Sequence, residues 1–160
     1  MTVDATAGAE RSAKDAWSVP LWLVLTTGGL LLAGGYVVDD AFVVFRVAER
    51  LARGEGWSFQ GSASADGVTA PLWGGLLALL VPGGSTPLVA RLLGSLFTLA
   101  GGALTLAALR GQPRALAALF LGAQLPMVVW AGAGLETGVA LLVMAVCTRG
   151  LLVRRSGEAA

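Results

Sequence analysis

Apolar and polar residues follow one another in long blocks along this chain of 160 residues. The first apolar block, 21–38, contains no charge and stops abruptly at Asp39 and Asp40. A helix rises about 1.5 Å per residue and a bilayer core is about 30 Å thick, so about 20 apolar residues are needed to cross it. The block therefore predicts a transmembrane helix.

Three later blocks repeat this pattern, and they predict about four transmembrane helices in all. These blocks are 88–109, interrupted only by Arg91, and the somewhat shorter 115–130 and 139–153. The segment 71–81 is apolar too, but it would extend only roughly 16 Å as a helix. We therefore expect it to be a re-entrant or half-span segment.

Basic residues in short loops favour the cytoplasmic side of a membrane. They form three clusters in this chain: Arg11 with Lys14, Arg110 with Arg114, and Arg149 with Arg154 and Arg155. If all three face the cytoplasm, 71–81 cannot cross the membrane. The outer loop 39–69 and the turn 131–137 then share the non-cytoplasmic face.

The outer loop opens with an amphipathic segment, 40–53. Its apolar stripe and its charged stripe alternate with helical spacing, and Gly54 and Gly56 predict where the helix stops. Such a juxtamembrane helix is expected to lie in the headgroup plane with its basic face exposed, although a plain spacer would have the same pattern. The apolar stripe contains Ala41, Val44, Phe45, Ala48 and Leu51, and the charged stripe contains Arg46, Glu49, Arg50 and Arg53.

Composition supports an all-α integral membrane protein and excludes several kinds of function. Apolar residues make up 56% of the chain and charged residues 13%, and the mean hydropathy is +0.76. A net charge of +1 argues against a nucleic-acid partner. The chain has no histidine and a single cysteine, Cys147, which excludes a histidine-based triad, a histidine-rich metal site and an intrachain disulfide.

The expected organisation has three parts and a membrane location. Residues 1–18 form a polar cytoplasmic tail predicted to be disordered, 19–155 form the transmembrane module, and 156–160 form a short tail. The protein is expected to be multi-pass in a cell membrane, in contact with membrane lipids. The rich use of Ala, Gly, Leu and Arg favours a bacterial cytoplasmic membrane.

A few charged residues near the predicted outer face are candidates for chemistry. Adjacent carboxylates such as Asp39 and Asp40 repel each other at a membrane boundary, unless a cation, a hydroxyl or a basic side chain lies there. They could act as a general base or bind a divalent cation, or simply end the helix. Glu136, between two apolar blocks, raises the same choice. Arg91 could pair with a phosphate or extend to the interface.

A series of short motifs extends over about 100 residues of the chain. The series is Asp39-Asp40-Ala41-Phe42, Arg46, Gly54-Glu55-Gly56-Trp57, Gly67-Val68-Thr69-Ala70-Pro71-Leu72-Trp73 and Gly134-Leu135-Glu136-Thr137. No single motif is specific, but their order and spacing resemble the N-terminal part of multi-spanning glycosyltransferases of the GT-C class, particularly bacterial arabinofuranosyltransferase-like proteins.

The resemblance implies transfer of a sugar, such as a pentose, from a polyprenyl-phosphate donor to a cell-envelope glycan outside the cytoplasm. It places the acceptor-activating base at Asp39 or Asp40, with Asp40 preferred, and a supporting carboxylate at Glu136. Displacement at an anomeric carbon requires a base near the incoming hydroxyl and a cation near the leaving phosphate. That positive charge would come from Arg46, Arg50 or Arg91.

Departures from the class lead to two further hypotheses. Such enzymes carry more spans and often a soluble C-terminal domain, so this chain is expected to be a fragment or to need a second membrane chain. One alternative is a non-catalytic membrane protein that keeps the scaffold and binds a lipid phosphate or a partner protein. A small transport subunit is less favoured, because apart from Thr98 and Thr105 almost no polar residues follow the middle of the helices.

Overall fold

The chain folds as a bundle of helices. A computed structural model describes residues 3–60, 68–80, 86–109 and 112–158, and within these ranges it contains helices and no strands, which confirms the all-α prediction. The helices are α1 (Val3–Ala33), α2 (Asp39–Ala52), α3 (Pro71–Leu80), α4 (Thr86–Ala108), α5 (Gln112–Ala123), α6 (Leu125–Gly132) and α7 (Thr137–Glu158).

Helix α1 differs from the sequence prediction at both ends. It begins at Val3, within the segment 1–18 predicted to be disordered, and continues through Pro20. That segment is rich in Ala and also contains Glu and Lys, which all favour helix. The helix ends at Ala33, before the predicted Val38, and Gly34 follows with a φ of 56°.

The structure has fewer membrane-crossing helices than the four expected. Among the described residues, 16–33 of α1 and the whole of α4 are long and apolar enough to cross a membrane. The pair α5 and α6 would be a third span if it acts as one, but it bends by 56° around Gln124. The apolar part of α7, Thr137–Leu152, is shorter than the usual 20 or so residues.

The hydrogen bonds of Arg91 show how the helices are arranged in the bundle. The guanidinium of Arg91, near the start of α4, donates hydrogen bonds to the carbonyl oxygens of Gly34, just after α1, and Gly132, at the end of α6. The end of α1, the start of α4 and the end of α6 therefore lie together, and we call this the acidic end. The four long apolar segments follow one another in alternating directions.

Helix α3 packs at the acidic end and does not run along the bundle as the four long apolar segments do. Its Trp73 and Leu77 are almost completely buried in one apolar cluster with residues of α2 and with Ala90 of α4. Since α3 has only 10 residues, it would extend about 15 Å. Over the described residues, α3 is therefore a shorter apolar helix than those that could cross a membrane.

The amphipathic helix is confirmed, but protein covers its apolar face. Helix α2 ends at Ala52, and Gly54 and Gly56 follow with φ angles of 73° and 83°. Ala41 and Phe45 of the predicted stripe are buried against α3 and α4. Neighbouring helices therefore cover this face.

Parts of several predictions lie outside the described residues. They are residues 1–2 of the N-terminal tail, 61–67 of the outer loop, Val81 at the end of the predicted half-span segment, Arg110 of the second basic cluster, and 159–160 of the C-terminal tail.

Candidate functional site

The two adjacent carboxylates occupy the first turn of α2. Asp39 and Asp40 are both exposed, and the residue before them, Val38, provides no side-chain cap for the helix. Carboxylates in this position are stabilised by the positive end of the helix dipole. Among the described residues, neither aspartate forms an ion pair. They are therefore open to a ligand, although the dipole alone also explains their position.

An open groove of about 500 Å³ runs along one face of α2. Asp39 and Arg46 line the same groove, because positions seven apart in a helix project from the same side. Between them Phe42 and Phe45 meet edge to face, with ring centroids 5.6 Å apart. The lining residues are Asp39, Phe42, Val43, Phe45, Arg46, Glu49, Phe59 and Pro87.

The far end of the groove contains a contact that the sequence reasoning missed. The hydroxyl of Thr86, which is fully buried, donates a 2.9 Å hydrogen bond to Oε1 of Glu49. This places the carboxylate at the N-terminus of α4, where negative charge is favoured. The Thr86-Pro87 pair is a typical helix start and could have indicated this position.

The turn that carries Glu136 packs directly on the beginning of α2. The amide of Val38 donates a 3.4 Å hydrogen bond to the carbonyl oxygen of Ala133. Gly134 has a φ of 97° and lies so close to Phe45 that a Cβ there would come within 2.6 Å of the ring. Asp39, Asp40 and Glu136 therefore lie at the same end of the bundle.

The structure nevertheless separates Glu136 from the groove. Glu136 is half-buried and lines a second cavity of about 380 Å³, between the start of α3 and the side of α7. Thr69 contributes a hydroxyl, while Trp73, Val139 and Met144 make most of the wall apolar. The acidic residues thus share a face of the protein but line different cavities.

Arg50 is engaged in a local ion-pair cluster at the end of α2. Its Nη1 lies 3.0 Å from Oε2 of Glu55, and Nε of Arg53 lies 2.6 Å from Oε1 of the same carboxylate. The hydrogen bond from Arg53 lowers the pKa of Glu55 below its ordinary value of 4.5, and the charges of Arg50 and Arg46 act in the same direction. Arg50 is therefore less available to a phosphate than the exposed Arg46.

Arg91 is held by backbone carbonyls. Its Nε donates a 3.0 Å hydrogen bond to Gly132, and its Nη2 donates to Gly34. Both acceptors lie near the C-terminal ends of helices, where carbonyl groups lack partners within the helix. Arg91 thus fastens α4 to α6 and to the loop between α1 and α2, a role that the sequence reasoning did not consider.

No group of three or more acidic or cysteine side chains that could hold a metal ion occurs within the described ranges. Comparison with protein-family models, with curated protein sequences and with solved structures found no match for this chain.

Proposed function

We propose that the chain is a glycosyltransferase module of the GT-C kind, in which the groove along α2 binds the reacting groups. The observation that carries this proposal is that Asp39 and Arg46 line one open groove on the same face of a helix. A carboxylate and a guanidinium in one cleft are the two groups required to activate a hydroxyl and to stabilise a leaving phosphate.

In the proposed reaction, a carboxylate at the start of α2 takes the proton of the acceptor hydroxyl. The hydroxyl oxygen then forms a bond to the anomeric carbon of the donor sugar, and the bond from that carbon to the phosphate oxygen breaks. Polyprenyl phosphate leaves as an anion, and Arg46 offsets its charge. The groove favours Asp39 as this base over the neighbouring Asp40, because Asp39 lines the groove.

The remaining predicted residues have supporting roles in this proposal. Glu136 lies in the adjacent cavity, at the same end of the bundle, and would orient the acceptor or the donor without taking its proton. Arg91 would keep the turn before Glu136 in place through its bonds to Gly132 and Gly34. Arg50, paired with Glu55, would contribute only to the electrostatic potential near the groove.

The threading of the helices supports a common outer face for these groups. The four long apolar segments alternate in direction while α3 stays at the acidic end, which is the arrangement expected from the basic clusters. We propose that this end faces away from the cytoplasm, with the bent α5–α6 pair and the apolar part of α7 completing the crossings. The donor lipid would then reach the groove from the outer leaflet.

A transfer assay tests the proposal. The full chain, purified in detergent, is incubated with a radiolabelled polyprenyl-phosphate pentose and a cell-envelope glycan acceptor. We expect labelled glycan from the wild type and a loss of about 100-fold or more in Asp39→Asn, because general-base catalysis contributes about 10² to 10⁴ in rate. Asp40→Asn should lose less, and Arg46→Gln should also be impaired.

The matched control is Glu55→Gln, which removes a carboxylate from the turn after the C-terminal end of α2 and should retain transfer. Unchanged transfer in an Asp39→Asn, Asp40→Asn double variant would disprove the assigned base. If the wild type transfers no sugar at all, the alternative of a non-catalytic membrane protein that keeps the scaffold replaces the enzyme proposal.

A further inference from the structure

A second groove lies at the opposite end of the bundle from the acidic residues. It has a volume of about 310 Å³ and is bounded by the last turns of α4, by α5 and by the middle part of α7. Thr105 and Ala108 line it from α4, Leu121 from α5, and Met144 and Arg149 from α7. This groove contains none of the groups proposed for sugar transfer.

The dimensions and chemistry of this groove fit one lipid chain. Its α7 wall extends from Leu141 to Leu152, which is roughly 16 Å along the helix and close to the hydrocarbon thickness of one leaflet. The wall is mostly apolar, and the hydroxyl of Thr105 is bonded to the carbonyl oxygen of Gly101 within its own helix. An acyl chain in the groove would therefore contact few polar groups that lack a hydrogen-bond partner.

The charge at the groove indicates what kind of headgroup would bind. Arg149 lines the groove and is exposed, and among the described residues it forms no ion pair. Thr148 beside it offers a hydroxyl. A guanidinium pairs well with a phosphate, and basic pockets between membrane helices bind anionic headgroups.

We infer that this groove binds one anionic phospholipid, with an acyl chain along α7 and its phosphate on Arg149. The groove adjoins the Glu136 cavity at Met144 but contains none of the charged groups proposed for sugar transfer. Arg149 would lie in the leaflet opposite to those groups. Since Arg114, Arg149 and Arg154 all belong to this end of the bundle, the bound lipid would come from the leaflet facing the basic loops.

Native mass spectrometry of the detergent-purified chain tests this inference, with phosphatidylglycerol and phosphatidylcholine of matched acyl chains as probes. The wild type should retain one phosphatidylglycerol at concentrations where phosphatidylcholine is lost. Arg149→Gln should weaken retention by about tenfold or more, because it removes a charge-assisted phosphate contact. Thr148→Trp should have a similar effect by filling the groove while leaving Arg149 in place.

Arg154→Gln is the matched control, since it removes the same charge from an exposed position on the same helix that does not line the groove. It should retain phosphatidylglycerol as the wild type does. Equal retention of the two lipids by the wild type would overturn the inference, and so would unchanged retention in Arg149→Gln. Equal losses of phosphatidylglycerol in Arg149→Gln and Arg154→Gln would show that the basic residues attract the lipid without a defined site. That result would also contradict the inference.

Discussion

The indole Nε1 of Trp73 donates a 2.9 Å hydrogen bond to the carbonyl oxygen of Gly134, 61 residues further along the chain. Trp73 is 1% exposed, so water cannot easily replace this bond. The contact joins α3 to the turn that carries Glu136, and the same turn packs on Phe45 of α2. Residues from three separate parts of the sequence thereby determine the shape of the acidic end.

Removing this hydrogen bond should destabilise the protein. Trp73→Phe would leave the Gly134 carbonyl without its partner in a buried site, and we expect a loss of about 1–3 kcal/mol in the free energy of unfolding. Thermal unfolding in detergent, followed by circular dichroism, measures this change. Trp130→Phe is the control, because Trp130 is 52% exposed and its replacement should change stability little.

Close packing between α4 and α7 depends on the absence of a side chain at Gly138. A Cβ added there would overlap the carbonyl oxygen of Gly94 and would approach Oγ1 of Thr98 to 2.9 Å. We expect Gly138→Ala to cost about 1–3 kcal/mol through overpacking, despite the better helix propensity of alanine.

Gly28→Ala provides the comparison for this prediction, because nothing lies within 4 Å of an added Cβ in that part of α1. This variant should be neutral or slightly more stable. Equal unfolding midpoints for Gly138→Ala and Gly28→Ala would show that α4 and α7 are not in close contact.

The bonds of Arg91 predict a structural effect that can be separated from phosphate binding. Arg91→Met should lower the free energy of unfolding by about 2–4 kcal/mol, because two backbone carbonyls lose a charged donor. Chemical denaturation in detergent measures this loss without any substrate. Arg46→Met should leave stability nearly unchanged, since Arg46 is exposed on the groove. If the two variants are equally stable, Arg91 does not fasten the helices.

The contacts of Glu55 predict that its pKa depends mainly on one neighbouring residue, Arg53. Its lowered pKa means that the ionised carboxylate is favoured in the folded protein. Any stability that it contributes is therefore present above the ordinary value of 4.5 and is lost as the pH falls through the lower folded value.

Carboxyl-carbon NMR of glutamate-labelled protein in micelles measures this pKa. We expect the Glu55 midpoint to lie below 4.5 and to rise in Arg53→Gln, because the hydrogen bond from Arg53 is the largest cause of the shift. Arg46→Gln should raise it less, since Arg46 acts only through its charge. A Glu55 midpoint unaffected by Arg53→Gln would contradict the ion-pair geometry.

Local patterns predicted the helices well wherever the determinants are close in sequence. The predicted amphipathic segment 40–53 differs from α2, Asp39–Ala52, by one residue at each end. Its bounds follow from an abrupt change in polarity at the start and from glycines with positive φ after the end. The third span was predicted less well. Pro126, in the first turn of α6, lies just after the bend at Gln124. The prediction of this span was based on apolar composition, which does not specify where a helix bends.

The candidate site could be predicted only in part. The sequence predicted the helix from residue 40 and preferred Asp40 as the base. Because α2 begins one residue earlier, Asp39 lies seven positions before Arg46 on the same side of the helix and lines the groove with it. The placement of Glu136 in a different cavity depends on tertiary contacts such as the Trp73 bond. The partners of Arg91 lie 41 and 57 residues away, and no local pattern identifies them.

Cysteine labelling in intact cells tests the placement of the acidic residues on one outer face most directly. Three single variants are made in a Cys147→Ser background: Asp40→Cys, Glu136→Cys and Gln112→Cys, the last at the end of the bundle opposite the acidic end. Each variant is treated with a membrane-impermeant maleimide before and after lysis. The proposal predicts labelling of positions 40 and 136 in intact cells and of position 112 only after lysis. Labelling of positions 40 and 136 from opposite sides of the membrane would contradict it.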